Sequence, residues 1–154
     1  MPACSEPFKL REGEAEDLGA VYSLGRACFE EYWSLPSLYS ALDSDYDLLL
    51  CEQADMLVGY ILSLTMLDEI QIMQVAVAPA CRRHGLARRM SRHLLHATGI
   101  RSISLEVRLS NKPARRLYAR LGFIESGYRK QYYTANAAGI CEDAVLMMMQ
   151  LPAG

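Results

Sequence analysis

The chain has 154 residues, 51% of them hydrophobic and 22% charged, which is the composition of one globular domain (1–154) with a sizeable core. No run of about 18 apolar residues could span a membrane, and the N-terminus lacks the basic flank and apolar stretch of a secretory leader. The net charge of −2 conceals a split, −11 over residues 1–80 and +11 over residues 81–130, which argues against an evenly basic nucleic-acid coat and suggests either two ligands of opposite sign or simple internal complementarity.

In chain order, Phe8 to Arg11 reads as a first strand. Glu14 to Phe29 reads as an amphipathic helix, because Leu18, Val21, Leu24 and Cys28 recur at three- and four-residue steps behind an acidic first turn. Pro36 to Leu42 is a short second helix. Tyr46 to Cys51 and Met56 to Thr65 are strands joined by a tight turn at Gln53-Ala54-Asp55.

The fourth strand, Glu69 to Val77, changes phase. Ile70 and Ile72 alternate in one register, and Met73, Val75 and Val77 in the other. A β-bulge leaves such a signature and frees backbone groups to bind something else; a strand buried on both faces would need no alternation at all.

Gly85 to Thr98 reads as helix, Ser102 to Val107 as a fifth strand, and Pro113 to Arg120 as a helix capped by Ser110-Asn111 and ended by Gly122. Phe123 to Tyr133 and Cys141 to Leu151 are the final strands. Five cysteines (Cys4, Cys28, Cys51, Cys81, Cys141) lack CxxC spacing and suit free thiols in a reducing cytoplasm. His93 and His96 could share a helix face, but no further ligand accompanies them and no metal is expected.

The most informative stretch is Arg82-Arg83-His84-Gly85-Leu86-Ala87, a basic turn between a strand and a helix. Such a turn directs several N–H groups and a helix N-terminus at one spot, so its ligand should carry phosphate. Around it, Val75-Ala76-Val77-Ala78-Pro79 leads in and Leu105-Glu106-Val107-Arg108-Leu109-Ser110-Asn111 leaves the fifth strand. Leu117-Tyr118-Ala119-Arg120-Leu121-Gly122-Phe123 closes the last helix, and Tyr132-Tyr133 precedes Glu142-Asp143-Ala144.

Together these motifs resemble the GCN5-related N-acetyltransferase (GNAT) superfamily, and within it the RimI-like ribosomal-protein N-terminal alanine acetyltransferases, over residues 8 to 151. Thr134 stands where that family often has proline, and the loop to Glu142 looks slightly long, which bears on acceptor preference. The resemblance implies a mixed α/β (α+β) GNAT fold. Its central twisted sheet would be mostly antiparallel, with six to seven strands, four flanking helices and a bulge in strand 4.

It also implies acetyl-CoA as co-substrate, its pyrophosphate on the N–H groups of residues 83 to 88 (Arg83, His84, Gly85, Leu86, Ala87, Arg88) with Arg82 nearby. The pantetheine arm would pair along Val75, Ala76 and Val77 and touch Asn111. Glu106, in an apolar strand, is the candidate general base, and Tyr118, a phenol protonated at neutral pH, the candidate general acid for the departing thiolate. Read from the residues alone, Glu106 could merely pair with Arg101 or Arg108, and Tyr118 could be core packing.

Glu30, Glu31, Trp33, Tyr132 and Tyr133 would form an acidic, aromatic acceptor groove for a basic N-terminus such as that of a small-subunit ribosomal protein; solvated acids and a core tryptophan are the alternative. No His base accompanies Cys81 or Cys141, so direct attack by the amine is expected rather than a covalent enzyme intermediate. Neither nucleic acid nor membrane is an expected partner, and a cytoplasmic monomer is. The rivals are the same chemistry on a lysine, polyamine or other small amine, a basic nucleic-acid-binding face, and a silent acyl-CoA sensor.

Overall fold

Burial alternates along Ser102–Arg108, where Ile103, Leu105 and Val107 are buried and their neighbours are not, whereas Leu48–Cys51 and Val58–Ser63 are buried without a break at the centre of a seven-stranded sheet. In the computed structural model, which describes residues 6–29, 32–97, 99–133, 135 and 138–152, the strands are β1 (Phe8–Glu12), β2 (Tyr46–Gln53), β3 (Met56–Met66), β4 (Glu69–Val77), β5 (Ser102–Arg108), β6 (Ile124–Arg129) and β7 (Ala144–Gln150). Their order is β1-β2-β3-β4-β5-β7-β6. Every neighbouring pair is antiparallel except β4 with β5.

Helices α1 (Leu18–Cys28) and α2 (Leu35–Leu42) cover one face, burying Leu18, Val21 and Leu38 against Leu48, Leu50, Tyr60, Leu62 and Ala76. Helices α3 (Leu86–Leu95) and α4 (Lys112–Leu121) cover the other, where Leu86, Met90 and Tyr118 meet Ile61, Ile70, Ile72, Ile103 and Leu105. Among the described residues no helix is long and apolar enough to cross a membrane.

The bulge expected in the fourth strand is present. Leu62 pairs with Gln74 and the adjacent Ser63 with Ile72, so Met73 is the extra residue. It reconciles the two phases, since Ile70, Ile72, Val75 and Val77 all turn to the α3–α4 face.

Several boundaries differ from the sequence reading. The first helix begins as a 3-10 turn at Ala15–Asp17, where the Asp17 carboxylate accepts from the Glu14 N–H at 2.8 Å, and it ends at Cys28 rather than Phe29. The third helix stops at Leu95, its last turn tightened by His96 N–H to His93 O and Ala97 N–H to Leu94 O. The sixth strand ends at Arg129 because Gln131 adopts a left-handed φ of 50° and donates to Asp143 Oδ1 at 2.8 Å, leaving Tyr132 and Tyr133 beyond the strand. The seventh begins at Ala144, because the Glu142 and Asp143 side chains cap turns elsewhere.

Ile103 is fully buried on β5 beneath α3 and α4. Ile103→Ala should cost about 2–5 kcal/mol of stability, read from denaturant unfolding, with the fold retained.

Candidate active site

The geometry of the site follows from where β4 and β5 stop pairing. Their parallel rungs run from Glu69 with Ser102 to Ile72 with Leu105 and go no further. Met73 then bulges, and the strands open into a wedge flanked by residues 74–77 and 106–108.

Ala78 N–H donates to Val58 O at 2.8 Å, so strand alternation turns the Ala76 backbone toward β3 and the Val75 and Val77 backbones toward the wedge. Ala76 also buries its side chain on the α1 side. Of the three β4 residues expected to bind cofactor, Val75 and Val77 therefore offer polar groups to the opening and Ala76 does not. The Val77 carbonyl already accepts from Arg82 Nε at 3.1 Å and from the Cys28 thiol at 3.6 Å. Arg82 thus braces the loop from within.

On the α3–α4 side a cavity of about 310 Å³ is lined by Val77, Arg82, Arg83, Gly85, Ala87, Arg88 and, from α4, Pro113 and Leu117. Arg83 and Gly85 both have left-handed backbones (φ 68° and 73°), a kinked run that gathers N–H groups into an anion-binding concavity. Gly85 needs no Cβ there, so the turn is unstrained at that residue. The first intrahelical bond is Arg89 N–H to Gly85 O, leaving the N–H groups of residues 86–88 available. Arg83 and Arg88 are exposed beside them, Leu86 anchors the helix in the core, and His84 sits at the rim against the Phe8 ring. This cradle fits a diphosphate.

Asn111 caps α4, its Oδ1 accepting from Ala114 N–H at 3.3 Å, while its amide nitrogen keeps both N–H donors for a ligand. Tyr118 is buried with its ring edge-on to Phe123. Burial pushes its phenol up to about 12, so it stays protonated at neutral pH.

Glu106 lies on the opposite face, one residue past the last β4–β5 rung, with 15% of its side chain exposed. It lines a groove of about 240 Å³ with Glu69, Gln71, Ser104, Ser126 and Arg129. Its ion pair is with Arg129 Nε at 3.3 Å, and not with Arg101 or Arg108, which face Asp68 and Glu142. Tyr132 lies against the Glu106 carboxylate, a contact that raises its phenol pKa. Tyr133 carries the Arg108 guanidinium 4.1 Å over its ring, and burial pushes its phenol up to about 12.

Trp33 packs edge-on against Tyr46 in the α1–α2 core and does not line the groove. Glu30 and Glu31 lie outside the described residues. Among the described residues no three His, Cys, Asp or Glu side chains are grouped to hold a metal.

The sequence alone does not point to Arg129, nor to the hydrogen-bonded chain of Tyr32, Tyr60 and the Gln74 amide that runs to β4 from the segment after α1. Only Gln74, polar within the apolar run Ile72 to Val77, gave a sign of it.

Three comparisons bear on this geometry. The model of the acetyltransferase (GNAT) family matches residues 18–123. The putative [ribosomal protein bS18]-alanine N-acetyltransferase of Bacillus subtilis (strain 168) is 33% identical over 147 residues, which is 92% of this chain and 95% of that protein. The crystal structure of the ribosomal-protein-S18-alanine N-acetyltransferase from Escherichia coli superposes with a TM-score of 0.89 at 30% identity, covering 96% of this chain and 97% of that one. Arabidopsis thaliana NAA60 in complex with acetyl-CoA shares the fold, with a TM-score of 0.83 at 18% identity over 94% of this chain and 98% of that one.

Glu142 ties the β6–β7 segment to the β5–α4 turn, accepting from Ser110 N–H at 2.6 Å and pairing with Arg108 at 3.5 Å. The Ser110 bond holds its pKa below the usual carboxylate value, so it stabilises the fold at neutral pH and loses that effect as pH falls through its folded pKa. Glu142→Gln should melt below the wild type at pH 7, and the two melting temperatures should converge in acid.

Proposed function

The chain belongs to the acetyltransferase (GNAT) family and is an N-acetyltransferase, and we propose that it acetylates the N-terminal α-amine of a protein from acetyl-CoA. The N-terminal alanine of ribosomal protein bS18 is the acceptor that its relatives' names supply. A ribosomal acceptor implies a cytoplasmic enzyme. The observation that carries the reading is the wedge between β4 and β5, with a diphosphate cradle on one face and a carboxylate groove on the other. Two substrates can approach from opposite sides and meet through the sheet.

Acetyl-CoA supplies the activated acetyl group as a thioester. On the cradle side, the N–H groups of residues 83–88 and the charges of Arg83 and Arg88 would hold its diphosphate. The Val75 and Val77 backbones face the opening, where an N–H can stabilise developing negative charge on the thioester oxygen. On the groove side, Glu106 would accept a proton from the acceptor ammonium, whose reference pKa of about 7.7–8.0 demands little assistance. The nitrogen then forms its bond to the acetyl carbon and releases its second proton to solvent as the carbon–sulfur bond breaks, while Tyr118 protonates the departing sulfur and regains its own proton from solvent.

The aromatic pair Tyr132 and Tyr133, with Arg108 and Arg129, would line the acceptor's approach. Arg129 at the base is a counter-charge that the acceptor ammonium must share or displace. It also disfavours a second positive charge beside Glu106, which favours the neutral, nucleophilic amine.

Release of free coenzyme A, measured with an Ala-headed basic peptide, should proceed with the free α-amine and stop when that amine is blocked. Glu106→Gln should lower the rate about 10²–10⁴-fold while acetyl-CoA binding is retained, and Tyr118→Phe should also slow turnover. Turnover of lysine side chains or polyamines in preference to the peptide would overturn the acceptor.

A further inference from the structure

The hydrogen-bonded chain from the segment after α1 ends at Gln74, beside the wedge. The Tyr60 side chain is fully buried and its hydroxyl donates to Gln74 Oε1 at 2.9 Å. The Tyr32 hydroxyl lies 2.7 Å from that of Tyr60. Because the single Tyr60 proton goes to Gln74, Tyr32 donates to Tyr60, and the chain runs in one direction.

Tyr32 is itself held firmly. Its ring stacks on Phe29 and covers Gly25, where a Cβ would run into the ring. The segment after α1 is therefore hydrogen-bonded, through one buried tyrosine, to a single amide on β4.

With its oxygen engaged, Gln74 presents its Nε2 group, which makes no hydrogen bond to any described residue. Gln74 follows the Met73 bulge, and its side chain is on the Tyr60 face of the sheet. Glu106 is on that same face of β5, because Leu105 and Val107 turn to the other. Both residues lie just past the last β4–β5 rung, Ile72 with Leu105, on opposite banks of the wedge. One bank therefore bears a carboxylate that lines the groove, and the other an amide whose oxygen is held by Tyr60 beside it.

We propose that Gln74, aimed by Tyr60 and Tyr32, determines specificity for α-amines by donating to the first carbonyl oxygen of the acceptor while Glu106 takes the amine. This rests on the α-amine reading above. An N-terminal residue carries a carbonyl two bonds from its amine nitrogen. A lysine side chain or a polyamine carries only methylenes there. Two-point attachment thus separates the amine classes by chemistry, because a donor placed for a carbonyl is left unpaired by a methylene. Tyr60 and Tyr32 act as positioning residues, fixing which end of the Gln74 amide faces the substrate.

The test compares an Ala-headed peptide with an analogue whose first carbonyl is replaced by methylene, the analogue read as a competitive inhibitor so that its own turnover is not needed. Gln74→Leu should lower kcat/KM for the peptide about tenfold, chiefly through KM, and leave the inhibition constant of the analogue unchanged. Tyr32→Phe keeps the ring over Gly25 and removes only the hydroxyl. It should give a smaller loss in the same direction, and no further loss in the Gln74→Leu background.

An unchanged peptide constant in Gln74→Leu would overturn the assignment, as would an equal weakening of peptide and analogue. Failure of the wild type to acetylate the free-amine peptide would instead sink the acceptor reading, and the role of Gln74 with it.

Discussion

Two adjacent strands that pair for four rungs and then part are the constraint on which the rest of the site depends. Parallel β4 and β5 cannot rejoin past Ile72 and Leu105, because the extra residue Met73 breaks the register on one side. Unpaired strand backbone inside a sheet is costly unless something satisfies it. Here the Val77 carbonyl is taken by Arg82 and Cys28, while the rest of the opening faces two ligand-sized cavities. The proposed base, Glu106, and the proposed acid, Tyr118, lie on different faces of the sheet, and the parting of these strands opens a path between those faces.

The charge split acquires a structural meaning in this frame. The positive segment contains residues 82–88 of the proposed cradle, but it also contains Arg108 and Arg129, which pair with Glu142 and Glu106. Part of the basic excess is therefore local complementarity around the carboxylates that form the groove. In the acidic first half, Asp17 and Glu52 converge on Arg11 at 2.7 and 2.6 Å, which ties β1 to the start of the first helix.

Much of this was legible in the sequence, and the reasons are local. The phase change at Met73 announced its bulge because a strand has period two and an extra residue must shift it. The turn at Arg83–Gly85 was visible because glycine ahead of a helix has few other uses. Glu106 stood out as an acid within an apolar strand. What escaped depends on contacts between distant segments. Arg129 meets Glu106 only through β7, which lies between their strands, and Tyr32 meets Gln74 only through Tyr60. The final strands were read too long because the acids that end them, Glu142 and Asp143, cap backbone groups far away in sequence. Trp33 was assigned to the groove from its neighbours in the chain, whereas burial beside Tyr46 serves its apolar ring better.

The strand order also has a consequence for the timing of synthesis. β5, which bears Glu106, leans on β4 only as far as Leu105, and its other edge is completed by β7. β6, which brings Arg129, touches the sheet through β7 alone. The residues of the proposed cradle therefore precede, in chain order, the strands that bring Arg129 beside Glu106. The strands that complete this side of Glu106 are therefore joined to the sheet only by the last strand, a long-range pairing that comes late in folding.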